Sequence, residues 1–160
     1  MMIISGGQTG VDRAALDAAL DLGLPCGGYC PSGRKAEDGT IAEKYPLQCL
    51  ASPHYKDRTL KNVISADGTL IIFTPPLAGG TRLTANMCRT HHKPFLAIDV
   101  DAQNLAHAVE LAYEFIVTNQ LDRVNIAGPR QSVWPEGYDY AHRLLTLVLP
   151  RLSSRTLNSS

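Results

Sequence analysis

The chain is predicted to fold as a three-layer α/β domain, a mostly parallel sheet with helices on both faces. Three observations point there. Short β-rich apolar runs at residues 2–5, 69–74, 94–99 and 123–127 alternate with amphipathic helical patterns, and that alternation marks strand–helix–strand units with parallel strands. The run Thr69-Leu70-Ile71-Ile72-Phe73-Thr74 is apolar without a polar face, which suits a strand covered on both sides. Three segments that follow strands carry glycine: one at Gly6, Gly7 and Gly10, one at Gly79-Gly80 and one at Gly128. Ligands in such folds sit beyond the carboxyl ends of the strands, so these loops are expected to meet on one rim.

Residues 2–5 form a short apolar run ended by glycines, a buried strand. After them Val11, Ala14, Ala15, Ala18, Ala19 and Leu22 recur at helical spacing, and the alanine face suits close packing onto a sheet. Thr9 with Asp12 three residues on has capping-box spacing, and Gly23 then Pro25 is a helix stop. Residues 26–30 are expected to be a glycine-weakened strand leading into the cationic loop Pro31-Ser32-Gly33-Arg34-Lys35. Residues 36–45 are polar and irregular with a turn at Asp38-Gly39, and residues 47–50 read as a short strand. Ser52-Pro53 has the order of a helix cap and a first helical residue, with Leu60, Val63 and Ile64 as the buried stripe. The next helix is expected to be capped by Thr81, with Leu83, Met87 and Cys88 inward. Leu105, Ala108, Val109, Ala112, Phe115 and Ile116 mark a long amphipathic helix, and a last helix over residues 138–149 is expected to stop at Pro150.

At 160 residues the chain reads as a single domain over residues 1–150, with residues 151–160 expected to fray as a Ser-rich tail. Fifteen basic residues balance fifteen acidic ones, which argues against a dedicated nucleic-acid surface. No apolar run approaches a membrane span and no signal-peptide layout opens the sequence, so a cytoplasmic location without membrane contact is expected. Cys26, Cys30, Cys49 and Cys88 have neither redox nor zinc spacing and read as reduced, packed thiols. If residues 26–30 form one strand, Cys26 and Cys30 share a face too far apart to bond.

The stretch Ser5-Gly6-Gly7-Gln8-Thr9-Gly10-Val11-Asp12-Arg13 has the layout of an anion-holding turn, where free backbone N–H groups and the positive end of a helix dipole converge. It matches neither standard phosphate fingerprint. Gln8 stands where a dinucleotide loop needs glycine, and no Gly-Lys-Ser/Thr precedes the helix. The alternative is a tight turn that needs positive φ. Asp12 is open between helix cap and ligand contact, and Arg13 between a solvated position and a role in the site. Gly79-Gly80-Thr81-Arg82 is a second candidate anion nest. Arg34, Arg82 and Arg130 all follow expected strands, and arginine suits bidentate contact with phosphate. Trp134 could stack on a flat ring or plug the core. The five histidines show no metal spacing, no catalytic constellation stands out, and nothing in the sequence demands catalysis.

These residues carry a resemblance. Ile4-Ser5-Gly6-Gly7-Gln8-Thr9-Gly10-Val11-Asp12-Arg13, Gly27-Gly28, the run from Pro31 to Gly39 with its Gly33-Arg34-Lys35-Ala36-Glu37-Asp38, and Thr74-Pro75 with Gly79-Gly80-Thr81 look like the molybdenum cofactor carrier family. That family is a circularly permuted, YpsA-like branch of the SLOG superfamily of Rossmann-like nucleotide and nucleotide-sugar binders, and the likeness covers residues 3–149. It implies a three-layer Rossmann-like domain, a homo-oligomer, that holds a phosphorylated ligand between glycine loops. In the eukaryotic carrier branch that ligand is molybdenum cofactor, stored rather than converted, with molybdoenzymes as recipients. Carried over by motif, Gly6, Gly7, Gln8, Thr9 and Gly10 face the phosphate together with Gly79, Gly80 and Thr81, and Arg34 and Lys35 support it. Thr74, Gly128, Arg82, Arg130 and Asp12 complete the expected binding set.

Two other functions stay open. One is binding or sensing of a nucleotide-derived small molecule. The other is hydrolysis of a nucleoside monophosphate at its N-glycosidic bond, with Asp12 or Glu37 as the acid. Related phosphoribohydrolases carry P-G-G-x-G-T-x-x-E, whereas here Gly80 runs directly into Thr81 and Thr84 follows where an acid is needed. That departure weakens the hydrolase reading.

Overall fold

Five parallel strands form the central sheet of the computed structural model, which describes residues 1–157. In chain order the elements are β1 (Met2–Ile4), α1 (Val11–Asp21), β2 (Cys26–Gly27), β3 (Tyr29–Cys30), β4 (Lys35–Ala36), β5 (Gly39–Thr40) and β6 (Gln48–Cys49). They continue with α2 (Tyr55–Ser65), β7 (Gly68–Phe73), α3 (Gly79–Thr90), β8 (Phe95–Asp99), α4 (Leu105–Thr118), β9 (Arg123–Ala127) and α5 (Gly137–Leu157). The central order is β2-β1-β9-β7-β8, and two small ribbons, β3-β6 and β4-β5, lie outside it.

Every residue of β7 is buried, as its unbroken apolar run predicts. Leu70 and Ile72 point into the core shared with α1, α4 and α5, and Ile71 and Phe73 into a smaller one with Ala85 of α3. Helices α1, α4 and α5 thus cover one face, and α2 and α3 pack together on the other. The fold is a three-layer α/β fold of Rossmann-like type. Ala14, Ala15, Ala18 and Ala19 are wholly buried, so α1 lies close on the sheet with no long side chain to hold it off.

Several local expectations are corrected. Residues 26–30 are two strands, because Gly28 (φ 137) turns the chain out of the central sheet where a Cβ would lie 2.1 Å from the Ser5 carbonyl oxygen. Helix α1 is capped by Gly10 without a side-chain bond, since the Thr9 hydroxyl goes to Glu37 and the Asp12 carboxylate turns inward. Helix α2 begins at Tyr55, beyond Ser52-Pro53, and buries Arg58, Asn62 and Val63 while Ile64 is exposed. Helix α3 begins at Gly79 with Ala78 as its cap, and Leu83 lies at the surface. Helix α5 runs through Pro150 to Leu157 and buries Leu152 against the main core, so the chain does not stop at the proline. Of the expected tail, residues 158–160 lie outside the described residues.

Candidate functional site

The three middle strands of the sheet, β1, β9 and β7, release their chains side by side at their carboxyl ends. The loops that follow enclose a cavity of about 510 Å³, closed on the far side by α2 and the start of α3. That volume lies in the range of small-molecule sites. Gly6 and Gln8 contribute from the first loop, Thr74 to Gly80 in part from the second, and Gly128 and Arg130 from the third.

At its base sits a buried ion pair. Arg58 of α2 is 3.8 Å from the Asp12 carboxylate and donates from Nη1 to the Gly6 carbonyl oxygen at 2.9 Å. Burial raises the Asp12 pKa from 3.8 to about 6, opposed by the Arg58 guanidinium and by the backbone amides of Gln8 and Gly128. Asp12 is therefore no helix cap. It ties the first loop to the third and presents a carboxyl group to the cavity. The Tyr55 ring beside it lies 5.4 Å from the Arg58 guanidinium carbon and 5.2 Å from Lys35 Nζ, cation–π distances that leave an aromatic surface in the cavity wall. Among the described residues Lys56, Arg58, Arg130 and Asp12 are the charged groups of the lining. Arg58 faces Asp12 and Arg130 Nε lies 3.7 Å from Glu37 behind the wall, which leaves a net positive charge from Lys56 that favours anions at neutral pH.

The glycine loops differ in what fills the space beside them. A Cβ on Gly6 would lie 2.4 Å from Arg58 Nη1, and one on Gly128 2.3 Å from the Ile72 carbonyl oxygen. Those glycines let the protein pack on itself. Gly79 and Gly80 have nothing within 4 Å of a would-be Cβ, and both line the cavity. They open α3, whose cap makes no side-chain bond, and the first-turn N–H groups of a helix have no acceptor within it. Thr84 Oγ1 bonds the Gly80 carbonyl oxygen at 2.9 Å and holds the turn.

The other expected residues lie elsewhere. Gly7 and Gly10 point into packed protein, at Leu47 and at the Pro129 carbonyl oxygen. Thr9 bonds Glu37 and the Gln131 amide. Arg34 donates to the carbonyl oxygens of Ile41, Ala42, Tyr45 and Leu47 and so holds its own loop together. Lys35 packs against the Tyr55 ring of the cavity wall without lining the cavity itself, and Arg82 is exposed on α3 outside the lining. Glu37 is bound by Thr9 and Ser132 and lies 3.7 Å from Arg130 without lining the cavity itself, so Asp12 is the acid in the wall among the described residues. Trp134 is buried against Gly137 and Tyr140, in the core.

Sequence reasoning missed the whole α2 wall. Tyr55, Arg58, Thr59 and Asn62 all face the cavity, and their helical spacing was a readable signal: a polar stripe on the face opposite the expected apolar one. Asn125, midway along β9, was missed because it sits inside an apolar strand; it donates to Thr69 Oγ1 at 3.3 Å and lines the cavity floor.

The sequence profile described as the circularly permutated YpsA SLOG family matches residues 3–149. The chain belongs to that family. Among solved structures, a crystal structure at 1.45 Å named "putative molybdenum carrier protein", from Syntrophus aciditrophicus SB, is similar to it. The two share 44% identity over 92% of this chain and 94% of that one, with a TM-score of 0.91. Among curated proteins none matches. Among the described residues of this family member, no helix is long and apolar enough to cross a membrane, and no group of three or more His, Cys, Asp or Glu is placed to hold a metal ion.

Proposed function

We propose that this member of the family is a carrier for molybdenum cofactor, binding the phosphorylated pterin without converting it. The observation that carries the reading is the open glycine pair, Gly79-Gly80, at the start of a helix inside a cation-lined cavity. In this reading the phosphate lies on the amides of Gly79, Gly80 and Thr81, where the helix dipole and unpaired N–H groups favour an anion. Lys56, Arg58 and Arg130 supply the charge. The flat pterin lies towards Tyr55, with Asp12 as acceptor for its ring N–H groups. Family membership and the carrier name of the similar structure support the assignment. The cofactor is cargo, held by its phosphate and ring, and passes to molybdoenzymes in the cytoplasm from a homo-oligomer.

The test is anaerobic purification with mass and metal analysis of what co-purifies, followed by thermal shifts with molybdenum cofactor, metal-free molybdopterin and purine nucleotides. Binding at a hundredfold excess over the dissociation constant stabilises by about 2.7 kcal/mol. A shift with the pterins and none with nucleotides is expected. A shift with nucleotides alone would replace the carrier by a nucleotide binder, and release of a free base from a monophosphate would make it an enzyme.

A further inference from the structure

We propose that Cys30 and Cys49 are a redox-modification site, an intramolecular disulfide that forms on exposure to a low-molecular-weight disulfide such as oxidised glutathione. The ribbon of β3 and β6 pairs the two residues directly, Cys30 opposite Cys49 in a parallel register. Adjacent strands lie about 4.8 Å apart, inside the Cα separation that a disulfide accepts. The two Sγ atoms are 3.5 Å apart as free thiols, so side-chain rotation closes the remaining gap.

The two thiols differ in a way that orders the chemistry. Cys49 is exposed, while Cys30 is buried among Leu16, Ala36, Ile41, Tyr45 and Leu47. Burial and the neighbouring Cys49 thiol push the Cys30 pKa up to about 11, so the buried Cys30 is the poorer first nucleophile. Cys49 therefore enters first. Its thiolate attacks one sulfur of the small disulfide, forming a mixed disulfide and expelling one thiolate. Cys30 then gives its proton to solvent or to the departing thiolate, and its sulfur attacks Cys49 Sγ and expels the second small thiol. The protein loses two protons and two electrons, and the small disulfide takes up both to become two thiols.

The bond would close the base of the 31–48 segment. That segment carries Arg34 with its four carbonyl acceptors, Glu37 bound to Thr9 and Ser132, and Ile41 and Leu47 packed over Gly7. Oxidation thus staples the cover of the first glycine loop without touching the cavity lining.

The experiment incubates the full chain with oxidised glutathione, then denatures it and labels free thiols with a maleimide. Of the four cysteines, two are expected to remain labelled, and peptide mapping should show Cys30 joined to Cys49. The melting temperature should rise by about 5–10 °C and return on reduction. Cys49→Ser, at an exposed position, should leave its three thiols free. Cys30→Ala should stop at a stable glutathione adduct on Cys49. Four labelled thiols in the wild type after equilibration, a crosslink to Cys26 or Cys88, or loss of two thiols in C49S would each overturn the assignment. None of these readouts depends on the ligand.

Discussion

Replacing Asp12 by Asn changes the stability of the protein in a way that depends on pH, with a sign opposite to that of most buried salt bridges. Despite Arg58 at 3.8 Å, burial leaves the Asp12 pKa raised from 3.8 to about 6. The ionised carboxylate is thus less favourable in the folded chain than in water by about 3 kcal/mol, at about 1.4 kcal/mol for each tenfold change in proton affinity. Stability from this group is fully present below its unfolded value of 3.8 and is lost as the pH rises through about 6. Asn stays neutral throughout and keeps one acceptor for the Gln8 and Gly128 amides. The D12N protein carries some fixed cost from the weaker acceptor and the unpaired Arg58, but the difference between the two proteins shifts in its favour by about 3 kcal/mol between pH ~4 and pH ~8. Asp38, held below its ordinary value by the hydrogen bond from Arg13, contributes in the opposite sense. So does Glu37, where slight burial is outweighed by bonds from Ser132 and Thr9. Both are common to the two proteins and cancel in the difference. Urea unfolding across the pH series measures it directly. A difference that is flat, or that moves against D12N as pH rises, would refute the claim that burial dominates at Asp12. Arg58→Leu removes the opposing attraction and should move the midpoint of the curve above pH 6.

Gly80→Leu should leave the melting temperature nearly unchanged, because nothing lies within 4 Å of its Cβ position; it should weaken binding of a phosphorylated pterin at least tenfold, and unchanged affinity in a titration would misplace the phosphate. Gly6→Ala drives a methyl against Arg58 and should cost about 1–3 kcal/mol in denaturant unfolding; an unaffected midpoint would mean that Arg58 moves freely. Arg34→Ala strips four carbonyl oxygens of a charged donor and should cost about 3 kcal/mol. Amide exchange in residues 35–47 should quicken while pterin affinity stays within a few-fold; a large loss of affinity would return Arg34 to the binding site.

The layered architecture was legible in the sequence because burial on both faces writes an unbroken apolar strand, as in β7, and burial on one face writes the alanine stripe of α1. These are properties of a residue and its near neighbours. The glycine loops were legible for the same reason, since each lies between a strand and the helix after it or at that helix's start. What those glycines are for was not legible. Gly6 and Gly80 read alike in sequence, yet one is covered by Arg58, fifty-two residues away, and the other faces open space. Arg34 looks like a ligand for phosphate until the chain folds back and surrounds it with carbonyl oxygens. Cys30 and Cys49 have no motif spacing, and only the parallel register of β3 with β6 sets their sulfur atoms side by side. Local pattern decides which elements form and which way their faces point. The site depends on which side chains from distant segments share one space, and on their mutual burial and charge, so only the tertiary structure could decide it.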